Sequence, residues 1–297
     1  MQKTLLTITG PTAVGKTQLT VETAGKLQTE IVSFDSRQFY RELSIGTAKP
    51  APEEMRDIPH HFINSRSIHQ EYSAGEFERE AVARITSLFQ KHDIVLLTGG
   101  SGLYLNAVLY GLDDFPEVPA KVKQKIAHLY KTGGLQALTR ALKTKDPEYF
   151  KKVDLQNPAR LRRALELIES TGRPFSSFQR NDSKKRPWNN KIFVLNRDRA
   201  ELHERINRRV EKMVNDGLIE EVRGLIDHKN LKALQTVGYK EVFDYLEGRT
   251  DKQTCVELIK RNTRRYAKRQ ITWFRSLPEA RFVNPPFEEI LNYKPSR

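Results

Sequence analysis

The first third of the chain alternates short apolar runs with amphipathic stretches. Residues 3–10 and 93–100 are apolar and rich in β-branched residues, and each run ends in glycine, which predicts two buried strands. A shorter run at 30–36 predicts another strand. Helical patterns occupy 17–27 and 73–91, and a further helix begins near 101. Strands separated by helices predict a parallel sheet with helices on both faces.

The pattern changes from about Pro116 to Pro187. Three helical stretches follow one another at 121–134, 135–146 and 157–173, with no strand between them. Asn157 is a candidate N-cap with Pro158 at the first helical position, and Gly172 is a candidate C-terminal stop. A strand is expected again at 191–198, and two long helices follow it. The domain prediction is therefore a core of 1–115 and 188–277, a helical insertion at 116–187 and a short tail at 278–297.

Composition narrows the class of protein. Lys and Arg total 51 against 37 Asp and Glu, so the net charge is +14, which favours a polyanionic partner such as nucleic acid or an anionic membrane surface. The single Cys255 excludes a disulfide framework and a cysteine-based zinc site, and fits a reducing cytosol. No apolar run approaches the roughly 18 residues of a membrane-spanning helix. The N-terminus reads as a first strand rather than a signal peptide.

A phosphate-binding loop is the strongest local motif. The sequence GPTAVGKT matches the P-loop pattern and lies between a predicted strand and a predicted helix. Backbone N–H groups and the helix N-terminus would hold phosphate oxygens, Lys16 would neutralise the terminal phosphate, and the Thr17 hydroxyl would ligate Mg²⁺. The predicted diphosphate- or triphosphate-binding residues are Gly10, Pro11, Thr12, Ala13, Val14, Gly15, Lys16 and Thr17. The fold class is thus α/β, with a P-loop-containing parallel sheet, a helical insertion and a helical C-terminal part.

Two further features lie at the expected ligand edge of the sheet. Asp35 ends the second predicted strand, where a carboxylate could hold Mg²⁺, accept a proton or cap a turn. The run from Gly99 to Gly102 follows the third predicted strand. It favours a tight strand-to-helix turn, although its glycines also permit close approach of a ligand.

The segment 255–275 predicts a helix with a strongly basic face. One stripe of side chains recurs at steps of three and four: Val256, Ile259, Thr263, Tyr266, Gln270 and Trp273. Two cationic columns have i,i+4 spacing: Lys260, Arg264 and Lys268, and Arg261, Arg265 and Arg269. With no carboxylate between them these cations repel one another, and an adjacent phosphate backbone would remove that cost. A solvated face is the alternative interpretation.

A second basic region lies in the insertion and the loop after it. Its cations are Arg160, Arg162, Arg163, Lys184, Lys185 and Arg186, and its aromatic residues are Phe175, Phe178 and Trp188. Aromatic rings beside arginines suit stacking on unpaired bases. Burial in the insertion's own core is an equally good interpretation of these rings.

Seven motifs in order resemble those of the bacterial tRNA dimethylallyltransferase (tRNA isopentenyltransferase) family. They are GPTAVGKT, FDSRQFYRELSIGTAKP, PHHFI, TGGSGLYL, NPARLRRALEL, TVGYKE and AKRQITWFR, and they run from Gly10 to Arg275. Two positions depart from the family pattern. Ser101 replaces the usual threonine, and Arg37 stands where an uncharged residue is common. Neither departure removes a catalytic group.

The resemblance implies transfer of a dimethylallyl group from dimethylallyl diphosphate to N6 of the adenine 3′ of the anticodon in tRNA, with release of diphosphate. It implies that Asp35 is the general base, with Lys16, Thr17 and Mg²⁺ on the diphosphate, which agrees with the chemistry of the P-loop. A diphosphate-binding arginine is expected on the helix after residue 198, where Arg205 and Arg209 both fit. A cytoplasmic monomer without membrane contact is expected.

The resemblance also implies tRNA contacts from several groups of residues. They are Asp35, Ser36, Arg37 and Gln38; Ser101 and Lys123; Ala159, Arg160, Leu161, Arg162 and Arg163; Gln235, Thr236, Val237, Gly238, Tyr239 and Lys240; and Lys268, Arg269, Gln270, Ile271, Thr272, Trp273, Phe274 and Arg275. Three other functions share some of these features: an ATP-binding P-loop kinase, a non-catalytic RNA-binding protein, and a prenyltransferase of free adenine nucleotides. The basic helix has no use in the kinase, and an intact P-loop argues against a protein without catalysis.

Overall fold

A parallel sheet forms the centre of the chain in the computed structural model, which describes residues 2–179 and 183–294. Its strands are β1 (Thr4–Thr9), β2 (Ile31–Ser33), β3 (His60–His61), β4 (Ile94–Gly99), β5 (Asn189–Leu195) and β6 (Ala280–Val283). Their order is β3-β2-β4-β1-β5-β6, and each pairing between these strands is parallel. Every residue of β1 is buried, as expected of a central strand covered on both faces. The predicted α/β fold is confirmed.

Helices cover both faces of the sheet. The first half of the chain contributes α1 (Lys16–Leu27), α2 (Pro52–Met55), α3 (Ala74–Leu88) and α4 (Gly102–Tyr110). Alternate residues of β1 serve opposite faces, since Leu5 packs in one core with Phe77 of α3, whereas Leu6 packs in another with Leu19 of α1. Because β1, β2 and β4 are parallel, their carboxyl ends meet at one edge of the sheet, and each strand is followed by a loop.

Residues 111–185 form a compact unit of their own. It contains α5 (Ala120–Lys145), α6 (Pro147–Phe150) and α7 (Pro158–Thr171), around a core that includes Leu138, Leu142 and Leu161. Gly134, with φ 60° and ψ −160°, interrupts α5 between the two predicted stretches. Asn157 caps α7 by accepting a hydrogen bond from the Arg160 N–H at 3.2 Å, and Gly172 ends it in the left-handed region, as predicted.

The other compact unit combines residues 1–110 with 186–297. After β5 it contains α8 (Arg199–Asn215), α9 (Leu218–Arg223), α10 (Tyr239–Leu246), α11 (Lys252–Phe274) and α12 (Glu288–Leu291). The long helices α8 and α11 are the two that the sequence predicts, and α9 and α10 pack against them around Tyr239, Val242 and Ile259. None of the helices in the described ranges is long and apolar enough to cross a membrane.

Two strands are absent from the sequence prediction. The two-residue strand β3 is too short for a period of two to be visible, and β6 belongs to the segment predicted as a short tail. That segment pairs β6 with β5 and buries Ile290 of α12 in the core shared with α1. Residues 278–294 are therefore part of the core unit.

Candidate active site

The P-loop joins β1 to α1 and has the backbone geometry of a phosphate cradle. Ala13 and Gly15 have positive φ values of 64° and 109°, which turn the chain before the helix begins at Lys16. At Gly10 a Cβ would lie 2.6 Å from the carbonyl oxygen of Leu195, so only glycine fits there. The N-terminus of α1 thus opens at the carboxyl edge of the sheet, where its N–H groups can receive an anion.

Lys16 is the cation of this loop. Its ammonium donates to the carbonyl oxygens of Gly10 and Pro11 at 2.9 Å each. Burial lowers the pKa of Lys16 from 10.5 to about 8, although the negative charge of Asp35 opposes the shift. Lys16 is therefore mostly protonated at neutral pH, and an incoming anion would stabilise its charge further.

Asp35 lies just beyond β2, in a loop held to the loop after β4. Its Oδ1 accepts the Arg37 N–H at 3.1 Å, so the turn-capping interpretation is correct for this oxygen. The hydroxyl of Ser101 accepts the Ser36 N–H and donates to the Ser36 hydroxyl, both at 3.0 Å. Asp35 Oδ2 takes no part in the cap, which leaves it for a proton or a cation.

Helix α11 packs against both the P-loop and the glycine-rich loop after β4. Gln270 accepts the Thr12 N–H and donates to the Gly100 carbonyl oxygen, at 2.9 Å each, so one side chain bridges the P-loop and the glycine-rich loop. A Cβ at Gly100 would lie 2.4 Å from the Gln270 amide, and one at Gly102 would lie 2.4 Å from the Trp273 ring. The glycines of this loop therefore permit the close approach of a helix.

Three arginines, one just before α8 and two within it, lie on the α8 side of the site. Arg205 donates through Nε to the Ala13 carbonyl oxygen at 2.8 Å, and Arg197 donates likewise to Val14 at 2.8 Å. Arg209 lies deeper, where burial lowers its pKa against the opposing charges of Asp35 and Glu54, and it remains a cation. The two predicted arginines thus occupy different places, and Arg197 is a contact that the sequence analysis missed.

Most of these groups line one cavity of about 750 Å³. The predicted residues that it brings together are Thr12, Ala13, Gly15, Lys16, Thr17, Asp35, Ser36, Arg37, Gln38, Ser101, Arg205, Arg209, Thr236, Val237, Gly238, Arg269, Gln270 and Trp273. Six cationic side chains line the cavity with two carboxylates, those of Asp35 and Glu54, which favours an anionic ligand.

Several lining residues were not predicted to belong to the site. They are Gln18, Gly46, Thr47, Ala48, Glu54, Leu103, Tyr104, Arg208, Val210, Met213, Ile259, Thr263 and Tyr266. Gly46, Thr47 and Ala48 belong to one of the seven quoted motifs, so their place in that motif was a usable signal. Tyr266 faces Asp35 and Ser101, and burial raises the pKa of its phenol, which stays protonated.

Three predicted tRNA contacts are corrected, because the side chains are fully buried. Leu161 packs in the core of residues 111–185, Tyr239 packs in the core between α10 and α11, and Phe274 packs against the sheet. These side chains support the fold and present no surface to RNA. Arg37 is also engaged within the protein, since its guanidinium donates to the carbonyl oxygens of Lys232 at 3.3 Å and Ala233 at 2.9 Å.

The cations of α11 divide into two groups. Lys260 pairs with Glu211 at 2.8 Å and with Glu257 at 3.0 Å, and Arg264 donates to the Asn207 oxygen at 2.6 Å. The exposed group is Arg261, Arg265, Lys268 and Arg269. The inference that no acid balances this helix is therefore wrong for Lys260, whose partners lie on α8 and one turn earlier on α11.

The second basic region divides in the same way. Arg186 pairs with Glu78 at 3.0 Å and donates to the carbonyl oxygens of Ala107 and Val108, with its side chain 9% exposed. Phe175 and Trp188 are buried, which favours the core interpretation over base stacking for both rings. The exposed residues of this region and its neighbourhood are Lys123, Ala159, Arg160, Arg163, Lys184 and Lys185.

The remaining predicted residues lie outside the cavity lining. Gly10, Pro11 and Val14 form the buried underside of the P-loop, and Arg162 is half-buried and 3.9 Å from Glu166. Gln235, Lys240, Lys268, Thr272 and Arg275 are exposed, and Ile271 packs partly against the core.

Among the described residues there is no group of three or more His, Cys, Asp or Glu that could hold a metal ion. Mg²⁺ commonly takes only one or two protein oxygens and completes its shell with phosphates and water, and Thr17 and Asp35 of the cavity lining could supply such oxygens.

Comparisons with known proteins give one consistent result. The family model described as IPP transferase matches residues 38–277. The chain is 47% identical over 292 residues to tRNA dimethylallyltransferase 1 of Bacteroides fragilis, covering 98% of this chain and 97% of that one. It is 46% identical to the tRNA dimethylallyltransferase of Christiangramia forsetii, covering 95% and 93%.

Solved structures agree in fold. A tRNA isopentenylpyrophosphate transferase from Bacillus halodurans matches with a TM-score of 0.71 and 36% identity, covering 98% of this chain and 93% of that one. A eukaryotic dimethylallyltransferase acting on tRNA matches with a TM-score of 0.80 and 26% identity, covering 95% and 74%.

Proposed function

Because the chain belongs to the IPP transferase family, we propose that it moves a dimethylallyl group from dimethylallyl diphosphate to N6 of the adenine 3′ of the anticodon in tRNA. The observation that carries this proposal is that the P-loop, Asp35 and Gln38 line the same cavity. A phosphate cradle and a carboxylate at one edge of a sheet suit a diphosphate leaving group and a nucleophile that must lose a proton.

The donor's diphosphate would occupy the P-loop. Lys16, Arg205 and Arg209 line the cavity with this loop, and they would stabilise the charge that grows on the diphosphate oxygens as the C1–O bond breaks. Thr17 would hold Mg²⁺ together with the donor's own phosphate oxygens. When bound, the ion supplies further neutralisation of the leaving group.

The target adenine would enter on the side of Asp35. Its N6 lone pair is delocalised into the ring, so removal of an N6 proton assists attack on C1, and Asp35 Oδ2 is the acceptor that the turn leaves available. Gln38 donates through Nε2 to the carbonyl oxygens of Thr47 and Ala48, at 3.3 and 3.2 Å, which leaves its amide oxygen for a donor on the base. The base must leave its loop stack to reach this depth.

The polynucleotide would lie against exposed cations. Arg261, Arg265, Lys268 and Arg269 of α11 provide one such surface, and Lys123, Arg160 and Arg163 provide another. The net charge of +14 favours the same partner. We expect the protein to act on tRNA as a monomer, and in the cytoplasm, whose reducing conditions suit a single free cysteine.

Replacement of Asp35 by Asn tests the proposed chemistry. General bases contribute about 10² to 10⁴ in rate, so single-turnover prenylation of unmodified tRNA should slow by that order in Asp35→Asn. The affinity for tRNA should change little, because the amide has nearly the same size and can still cap the turn. Thr86→Ala, an exposed change on α3 outside the cavity, serves as the control and should keep the wild-type rate. A wild-type rate in Asp35→Asn would assign the base to another group.

A further inference from the structure

The Glu221 carboxylate, which lies outside the cavity, is hydrogen-bonded to the backbone that leads into one wall of the cavity. Glu221 lies on α9 and accepts four hydrogen bonds. Its Oε2 receives the N–H groups of Ser44 at 3.1 Å and Ile45 at 2.7 Å, and its Oε1 receives the Gly46 N–H at 3.1 Å and the Tyr239 hydroxyl at 2.6 Å. Three consecutive backbone donors on one carboxylate fix the path of the chain at that point.

The backbone segment that Glu221 holds continues directly into one wall of the cavity. Gly46, Thr47 and Ala48 line it, as do Thr236 and Gly238 from the loop before α10. Tyr239 is fully buried, and a Cβ at Gly46 would lie 2.5 Å from its ring. The backbone at Gly46 is therefore packed on the Tyr239 side chain, and Glu221 is hydrogen-bonded both to that side chain and to the Ser44–Gly46 backbone.

The carbonyl groups of the same wall contact Gln38 and Arg209, which would act on the substrates. The carbonyl oxygens of Thr47 and Ala48 accept the two N–H bonds of the Gln38 amide. The guanidinium of Arg209 approaches the Thr47 oxygen at 3.5 Å. A shift of this backbone would therefore move Gln38 and Arg209, the groups placed at the adenine and beside the P-loop.

We propose that Glu221 is a positioning residue for transfer, acting through the Ser44–Ala48 backbone to orient Gln38 and Arg209. This inference rests on the proposed function, because its reaction is prenylation of tRNA. Glu221 touches neither substrate. Its effect should appear in the rate of the bound complex rather than in the encounter with tRNA, since a misplacement of about 1 Å far from the chemistry can cost on the order of 10²-fold.

The test compares Glu221→Gln with Glu220→Gln. The first variant keeps the size of the side chain, yet its amide nitrogen would face backbone N–H donors. The second changes the exposed neighbouring residue on the same helix. Glu221→Gln should lower kcat by about 10- to 100-fold while KM for tRNA changes by less than about threefold. Glu220→Gln should match wild type. Hydrogen exchange at Ser44, Ile45 and Gly46 should accelerate in Glu221→Gln alone.

Tyr239→Phe keeps the test decisive if Glu221→Gln does not fold. It removes one of the four hydrogen bonds and none of the packing, so it should lower kcat in the same direction by a smaller factor. Equal kcat values for Glu221→Gln and Glu220→Gln in a folded protein would overturn the inference, as would a loss confined to KM for tRNA. Wild-type protein without prenylation activity would instead reject the proposed function.

Discussion

The P-loop and helix α11 both present cations, but the two regions use them differently. In the P-loop a single lysine is held by carbonyl oxygens of its own loop, and contiguous backbone builds the site around it. In α11 the cations of one helix have different environments. Lys260 and Arg264 are satisfied by partners on α8, whereas Arg261, Arg265 and Lys268 are exposed.

The P-loop and α11 differ in how much of their geometry is specified by local sequence. A P-loop is specified by glycines and a helix start that are adjacent in sequence, so its geometry follows from the motif alone. The role of a cation on a helix depends on what the neighbouring element places beside it. For α11 that element is α8, more than forty residues earlier in the chain.

Removal of the P-loop cation should have the largest effect. Lys16→Ala takes away a preorganised charge at the departing diphosphate, so kcat/KM for the donor should fall by about 10² to 10³-fold. The affinity for tRNA should be unchanged if the P-loop serves the donor alone. Equilibrium tRNA binding and initial rates over a range of donor concentrations measure the two effects. Equal losses in both would mean that the two regions are not functionally distinct.

The same lysine predicts a pH dependence. Its pKa of about 8 in the donor-free protein means that the ammonium is charged below pH 8 and loses its proton as the pH rises through that value. Donor affinity should therefore be constant below pH 8 and weaken above it, by up to roughly tenfold per pH unit, because donor binding is linked to one proton. In Lys16→Arg this slope should vanish whatever the absolute affinity, since guanidinium stays protonated. A slope that persists in Lys16→Arg would assign the titration to another group.

Two matched sets of substitutions separate the cations of α11. Replacing Arg261, Arg265 and Lys268 by Gln should reduce the slope of log K for tRNA against log salt by about two to three units, at roughly 0.7 to 0.9 per phosphate contact. Replacing the inner pair, Lys260 and Arg264, should lower the melting temperature and leave most of the slope intact. An inner pair that changes the salt slope as much as the outer set would contradict the division.

The smallest expected effect joins the two regions. Gln270→Leu leaves the Thr12 N–H and the Gly100 carbonyl without their α11 partner, so the free energy of unfolding should fall by about 1 to 3 kcal/mol. The free energy of unfolding of Gln270→Glu should lie between those of Gln270→Leu and wild type, because the carboxylate keeps an acceptor for Thr12 and loses the donor to Gly100. Urea unfolding measures both, with Arg261→Gln as the exposed control on the same helix. Stability equal to wild type in Gln270→Leu would show that the bridge contributes nothing.

Much of the fold followed from local pattern. The strands β1, β4 and β5 are apolar runs, and Asn157 and Gly172 delimit α7 by hydrogen-bonding and backbone rules that act over a few residues. The parallel sheet follows from the alternation of elements. The P-loop and Asp35 could be placed at one sheet edge for the same reason.

The remainder required tertiary contacts. Nothing near Arg186 in sequence reveals that Glu78 will bury it, and nothing near Tyr239 reveals that Gly46 will lie against its ring. The wall formed by Gly46–Ala48 depends on Glu221, about 175 residues away in the chain. The strand β6 escaped prediction because its partner β5 supplies the pairing that its own short pattern does not signal.

Prenylation of unmodified tRNA without ATP is the decisive assay for the proposed function. Unmodified tRNA is incubated with the protein, dimethylallyl diphosphate and Mg²⁺ in the absence of ATP, and its nuclease fragments are analysed by mass spectrometry alongside the released diphosphate. We expect the added mass of one dimethylallyl group on the anticodon-loop fragment that carries the adenine 3′ of the anticodon, with one diphosphate released per modified tRNA. An absolute requirement for ATP, or a fragment that gains a phosphate instead, would rule out the transferase and favour a kinase.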